Sequence, residues 1–445
     1  MVLVRRRYYI WLFKAYIKKW KKTIFSSIFV GACAFFLSLL ILNYYVFPIF
    51  NNSVVKIGYA GSYTLSTLPS EILENVSYGL TAIEPNSEVV PAAASSWEIS
   101  KNGRVYTFVL RDNLKLSNGK KFMAEDVPYK FKDVEKKIIG TNKIQFTLKN
   151  AYAPFLSVAS SPIIIKNYGL NEYHIAKIEE NSGFIKSLTL TNKNSTKKKI
   201  FYFYPTADAL TTAFMLGEVS KMENVLPDAA PEKNFSTWKN VNVLKNTDYT
   251  QLVGIFFNTS DNILSNKKIR QALTYVLPKT FPEGERTFSF IQPNSIYYTK
   301  SPNEGILDLA LSKSLLSASE VKNPTITLKT PDELKPIALL IASEWKKIGV
   351  KTDIVTTNDL PTTYQALLYA MRLPHDPDMY TIWHSGQVNN ITHYKNVRID
   401  KLLEDGRQTT DKDKRIQIYA DVQKYLLDDA PAAFLYFPYS YTVSR

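Results

Sequence analysis

The chain has 445 residues and a mass of 50.8 kDa, enough for two or three domains with no need of disulfides or metal to complete a small core. A single cysteine, Cys33, excludes cystine scaffolds, iron–sulfur clusters and cysteine-rich zinc sites. The formal charge of +15 is unevenly placed: residues 1–22 hold eight basic side chains (Arg5, Arg6, Arg7, Lys14, Lys18, Lys19, Lys21, Lys22) and no acid, which leaves +7 on the other 423 residues and argues against a nucleic-acid partner.

Residues 24–50 carry no charge, and about 20 helical residues at 1.5 Å each cross a hydrocarbon core. Tyr44 and Tyr45 are placed as interfacial rings and Pro48 as a stop, so the sequence predicts one transmembrane helix over 24–50. The basic cluster on its N-terminal flank predicts a cytoplasmic N-terminus, residues 1–23, with the rest of the chain outside the cell membrane. A cleaved signal peptide has a shorter apolar region. Val30-Gly31-Ala32-Cys33 resembles a bacterial lipoprotein box, which leaves lipidation at Cys33 as an alternative anchor. Residues 8–16 mix aromatic and basic side chains and read either as a short amphipathic helix on the membrane surface or as a structural lead-in.

Beyond a short linker, residues 54–59 read as a first strand. Residues 105–111 and 143–148 are further strands, and 124–127 is expected to open a helix with Phe131 and Val134 facing a core. The run 191–199 (TNKNSTKKK) reads as a solvent loop, 199–204 as a strand, and 206–216 as a helix ending at Gly217. A strand at 252–257 and a helix at 267–276 follow, the latter burying Ile269, Leu273 and Val276. The alternation continues at 325–328, 334–347, 351–355 and 400–403, with a long helix at 411–428, which favours α/β lobes with partly parallel sheets.

Serine nucleophile elbows, Walker A loops, dinucleotide fingerprints and HExxH motifs are absent. Three of the four histidines, His375, His384 and His393, fall within 19 residues together with Asp376 and Asp378, a donor set that suits Zn²⁺ or Mn²⁺. Nothing in their spacing forces the rings to converge on one ion, and loop residues are the alternative. Trp97 reads as core, whereas Trp383-His384-Ser385-Gly386 is placed to line a cleft. Lys136-Lys137 and Lys197-Lys198-Lys199 read as solvated faces.

Several blocks, in order, resemble the extracellular solute-binding proteins of oligopeptide and dipeptide ABC transporters, family 5. Pro91-Ala92-Ala93-Ala94-Ser95-Ser96-Trp97-Glu98-Ile99-Ser100, then Asn102-Gly103, Tyr106-Thr107-Phe108 and Leu110-Arg111, is similar to "PxLAxSWexSxDGxxYTFxLR". Phe122-Met123-Ala124-Glu125-Asp126-Val127, Ala151-Tyr152-Ala153-Pro154-Phe155-Leu156 and Ile269-Arg270-Gln271-Ala272-Leu273 resemble "pftAeDV", "pyapFL" and "vRqAl". Asp376-Pro377-Asp378 resembles part of "DYpDPxxf", and Ala430-Pro431 with Leu435-Tyr436 the "apxipLy" end. Asn181-Ser182-Gly183-Phe184-Ile185 departs from the family's "GTGPY", and Val276-Leu277-Pro278-Lys279 from its "AIDR".

The resemblance implies an α/β, two-lobed periplasmic-binding-protein-like clamshell of class II, with an extra subdomain in the first lobe and, here, one transmembrane helix before it. Lobe I is expected over 51–255, including the subdomain at about 75–165, lobe II over 256–395, and a return to lobe I over 396–445. A peptide or peptide-like solute held between the lobes, an ABC transporter permease as partner and no cofactor are further expectations of the resemblance. Carried over position by position, Asn258, Asp376, Asp378, Trp383 and His384 are the candidate ligand-binding residues, with Asp376 or Asp378 pairing a peptide amine. A clamshell that serves as a sensor or assembly partner is the alternative, and a metal-dependent hydrolase at His375, His384 and His393 a third.

Overall fold

The computed structural model describes residues 2–41, 53–227, 234–301, 304–357 and 359–445. Helix α1 (Val2–Ile41) leaves helical geometry at Trp20 (φ −107°, ψ 15°), and its pieces Arg7–Thr23 and Phe25–Ile41 meet at 61°. No single helix among the described residues is long and apolar enough to cross a membrane; the two pieces pass that test only together. The expected span over 24–50 is therefore helical as far as Ile41, and 42–50, with Tyr44, Tyr45 and Pro48, lie outside the described residues.

Strand β1 (Ser53–Ala60) is followed by a short helix, α2 (Ser70–Glu74), and a hairpin, β2 (Thr81–Ile83) and β3 (Val89–Pro91). A four-stranded antiparallel sheet follows, formed by β4 (Ala94–Ile99), β5 (Val105–Leu110), β6 (Val134–Ile138) and β7 (Lys143–Leu148) in the order β4-β5-β7-β6. Period-two alternation puts Tyr106, Phe108 and Leu110 on the same buried face as Ile144, Phe146 and Leu148, with Phe155 of helix α3 (Phe155–Val158) in the same core. This sheet, with a core of its own, forms a subdomain. The helix expected from 124 is a single 3-10 turn, Ala124–Asp126, and Val134 opens a strand instead. Pro128 is the reason: it has no N–H for a helix and drives Val127 into extended geometry (ψ 115°).

The strands β8 (Tyr173–Asn181) and β9 (Phe184–Asn192) form a hairpin closed by Ser182 and Gly183, both at positive φ. The expected loop over 191–199 contracts to a four-residue turn, because Lys197 already belongs to β10 (Lys197–Tyr204) and pairs with β1. Its three lysines sit where that strand leaves the core. Thr206 caps helix α4 (Ala207–Met215) by accepting from the Ala209 N–H at 3.2 Å, and Gly217 ends it at φ 79°. Strands β11 (Lys221–Val225) and β12 (Asn242–Thr247) complete the first lobe's sheet.

In the second lobe, β13 (Gln251–Phe257), α5 (Lys267–Tyr275), β14 (Gly284–Arg286), α6 (Leu309–Ser317), β15 (Thr325–Thr330), α7 (Lys335–Lys346), β16 (Lys351–Thr356) and β17 (Ala366–Arg372) alternate along the chain. They are followed by α8 (Tyr380–Trp383), α9 (Val397–Gln408), α10 (Lys412–Asp429) and the long β18 (Ala432–Ser444). In the order β16-β15-β17-β13-β18, β13 and the first half of β18 are buried on both faces, and β16 is an exposed edge. Val253, Ile255 and Phe257 point to α5 and α7, while Leu252 and Phe256 point to α8, α9 and α10. The second face needs its own helical cover, and residues 397–429 supply it; they had been expected in the first lobe, as had 251–255. The chain rejoins the first lobe within β18: residues 432–438 pair with β13 and β14, and 439–444 with β11 and β12. Among the described residues, two backbone passages therefore join the sheets, 247–251 outward and 438–439 back.

Candidate functional site

A cleft of about 720 Å³ lies between the lobes, where both passages run. Its first-lobe wall is formed by the end of β1, the start of α2 and β11, which contribute Tyr59, Tyr63, Glu71 and Glu223. The opposite wall is the end of β17 and the turn after it, with Arg372, Leu373 and His375, together with Phe290 and Ile291. Glu84 and Ser87 of the β2–β3 turn close one side, and Thr247, Tyr249 and Ser440 of the passages form part of the floor.

The subdomain also touches the second lobe directly. The Ile296 N–H donates to the Asn86 carbonyl at 2.8 Å, the Ala153 N–H to the Arg407 carbonyl at 2.6 Å, and Lys412 pairs with Glu88. The cleft is thus bounded by the two passages on one side and by these contacts on another.

The charges lining it fall into two groups. On the first-lobe wall Glu223 accepts from the Tyr59 hydroxyl and pairs with Lys221. Burial, reinforced by that carboxylate, pushes the Tyr59 phenol far above its ordinary range, so Tyr59 is a permanent donor. Glu71 and Glu84 make no side-chain hydrogen bond or ion pair among the described residues. Glu74, next to Glu71, is raised by burial and by the Glu71 charge, with His375 pulling it the other way. Opposite, Arg372 is exposed at the last position of β17 and makes no ion pair among the described residues; its field acts on Tyr63, whose phenol burial otherwise raises. The arrangement sets a free guanidinium against free carboxylates across a space of small-ligand size.

The residues singled out by sequence lie mostly in the scaffold beside this cleft. Asp376 lines the cleft, but its carboxylate is gripped from two directions by Arg415: Nη1 donates to Oδ2 at 2.8 Å and Nη2 to Oδ1 at 2.5 Å, with both side chains nearly buried (10% and 5% exposed). Burial works against the Arg415 charge, and Asp376 more than offsets it, holding the guanidinium above its ordinary value. Asp378 is 8% exposed and accepts from Arg407 Nε at 2.8 Å; burial raises its carboxyl, with Arg407 opposing. Asp376 Oδ1 also accepts the Asp378 N–H, so the two acids hold the Pro377 turn.

Trp383 is fully buried between Phe256 and Phe434, a core ring instead of a cleft wall. His384 stacks on Tyr380 (centroids 4.3 Å apart) and accepts from the Gly386 N–H at 3.1 Å. Asn258 caps the turn after β13, accepting from the Ser260 N–H at 3.0 Å and donating to the Tyr364 carbonyl. Of the three histidines, His375 alone lines the cleft, and no group of three His, Cys, Asp or Glu among the described residues could hold a metal ion. Arg372, Glu71, Glu84 and Glu223 carry no motif and were missed; their shared signal is geometric, a strand or helix end on the cleft.

The sequence pattern of the bacterial extracellular solute-binding proteins, family 5, matches residues 88–185 and 190–391. The chain belongs to this family. Among family-5 relatives, the oligopeptide-binding protein AppA of Bacillus subtilis is 25% identical over 82% of this chain and 81% of its own length. Heme-binding protein A of Haemophilus influenzae is 24% identical, covering 82% and 83%. Among solved structures, NikZ from Campylobacter jejuni in complex with Ni(L-His) superposes with a TM-score of 0.71 at 20% identity, over 88% of this chain and 94% of that one. The fold is the two-lobed clamshell of these family-5 structures, and the family binds solutes without transforming them, which removes the hydrolase alternative.

Proposed function

We propose that the protein captures a short peptide or peptide-like solute between its lobes and delivers it to an ABC permease, held outside the cell membrane by the helix that begins at residue 25. The observation that carries this reading is Arg372 standing unpaired across the cleft from Glu71 and Glu84. A guanidinium on one wall meets a ligand carboxylate and acids on the other meet an ammonium group, which is the charge pattern of a peptide's two ends. Closure about two passages buries such a ligand. Membrane tethering with a cytoplasmic N-terminus is supported by the apolar Phe25–Ile41 helix and the one-sided basic flank.

Native mass spectrometry of the purified chain tests the reading, followed by thermal unfolding with peptide mixtures. A ligand held by the folded state alone at about 100 times its Kd adds about 2.7 kcal/mol of stability. Absence of a co-purified solute together with no shift by peptides rejects peptide capture. Genes for a permease and an ATPase beside this one separate delivery from a sensor role.

A further inference from the structure

The Arg7–Thr23 piece of α1 does more than orient a membrane span. At about 100° per residue over the regular turns before Trp20, Arg7, Lys14 and Lys18 fall within an arc of roughly 40°, and Lys21 and Lys22 follow directly. Tyr9, Leu12, Phe13, Tyr16, Ile17 and Trp20 occupy the opposite side, and each is at least 40% exposed with nothing packed over it. Lys19 on the aromatic side and Trp11 on the basic side are the exceptions. Topology needs a charge count and no more; it needs neither facial separation nor a row of aromatic rings. The bend between the two pieces is the second, independent observation. With the Phe25–Ile41 piece along the membrane normal, the 61° bend brings the first piece to within about 30° of the membrane surface.

We propose that Arg7–Thr23 docks along the cytoplasmic leaflet as a surface arm, its aromatic side sunk at the headgroup–acyl boundary and its basic side on anionic lipid phosphates. This rests on the tether reading above. Rings of Tyr and Trp are stable at that depth, lysine stems reach back to the headgroups, and the absence of any acid in residues 1–22 leaves no repulsion to overcome. Each basic residue near an anionic surface strengthens docking roughly fivefold.

The test uses the full chain with Cys33→Ser, carrying one spin-labelled cysteine at Phe13 or at Lys18, in vesicles of phosphatidylcholine with one-third phosphatidylglycerol. Oxygen is expected to relax the label at 13 and a water-soluble nickel reagent the label at 18. With Lys14→Glu, Lys21→Glu and Lys22→Glu, or in pure phosphatidylcholine, the docked fraction should fall at least tenfold. Both labels in water, both deep in the bilayer, or a contrast unchanged by headgroup charge overturns the proposal. Alkaline extraction of the same vesicles reads the tether separately: a chain that resists extraction without the contrast keeps the tether and loses the arm. A chain that is extracted yet shows the contrast beforehand keeps the arm and loses the tether.

Discussion

Residues 372–375 and 376–383 are adjacent in sequence and differ in how their charges are held. Arg372 and His375 project into the cleft, and Arg372 has no carboxylate partner among the described residues; Asp376, Asp378 and Trp383, a few residues on, are tied to Arg415, Arg407 and the aromatic core. A charge already satisfied by a buried arginine contributes to the position of the wall, and a charge left unsatisfied is available to a ligand. The acids of the recognisable motif are therefore held by internal arginines, and the cleft-lining Arg372 beside them is not.

That contrast can be broken from either side. Asp376→Ala strands the buried Arg415 guanidinium, and urea unfolding should show a loss of about 3–5 kcal/mol. Arg372→Met should leave the unfolding midpoint unchanged while calorimetry shows ligand affinity falling by about 10- to 100-fold, the loss of a charge-assisted hydrogen bond. Glu71→Gln, on an exposed acid, should weaken a ligand bearing an ammonium group by about threefold and leave an uncharged analogue unaffected.

A smaller effect separates scaffold from cleft by pH. Burial acts to raise the Asp429 carboxyl, but hydrogen bonds from Lys267, Tyr394 and Asn396 leave it below its ordinary value. The unfolded chain thus takes up this proton first, so the stabilisation is complete above the unfolded value of about 3.9 and is lost as pH falls through the lower folded one. Urea midpoints measured on either side of that window should converge in Asp429→Asn.

The fold was legible because its signals are local and periodic: β5, β7, β13 and α5 each announce themselves by alternation or three-four spacing, and the family blocks fix their order. The hairpin β8–β9 was harder, since the buried Ile185 is three residues from Leu188 and so out of step with Leu188 and Leu190, and register shifts in the pairing break the alternation. Pro128 outweighed the helix signal at 124–127. The site was less legible for a different reason. Glu71, Glu223 and Arg372 are separated by about 150 residues at each step, and only the parallel pairing of β1 with β11 and the shared strand β18 brings their walls face to face.

The most direct test is calorimetric titration of a short peptide and its C-terminal amide into the wild-type chain and Arg372→Met. Amidation is expected to weaken binding at least tenfold in the wild type and to make no difference in the variant. Equal affinity of acid and amide for the wild type, or an undiminished penalty in Arg372→Met, would contradict a cleft organised around a free Arg372.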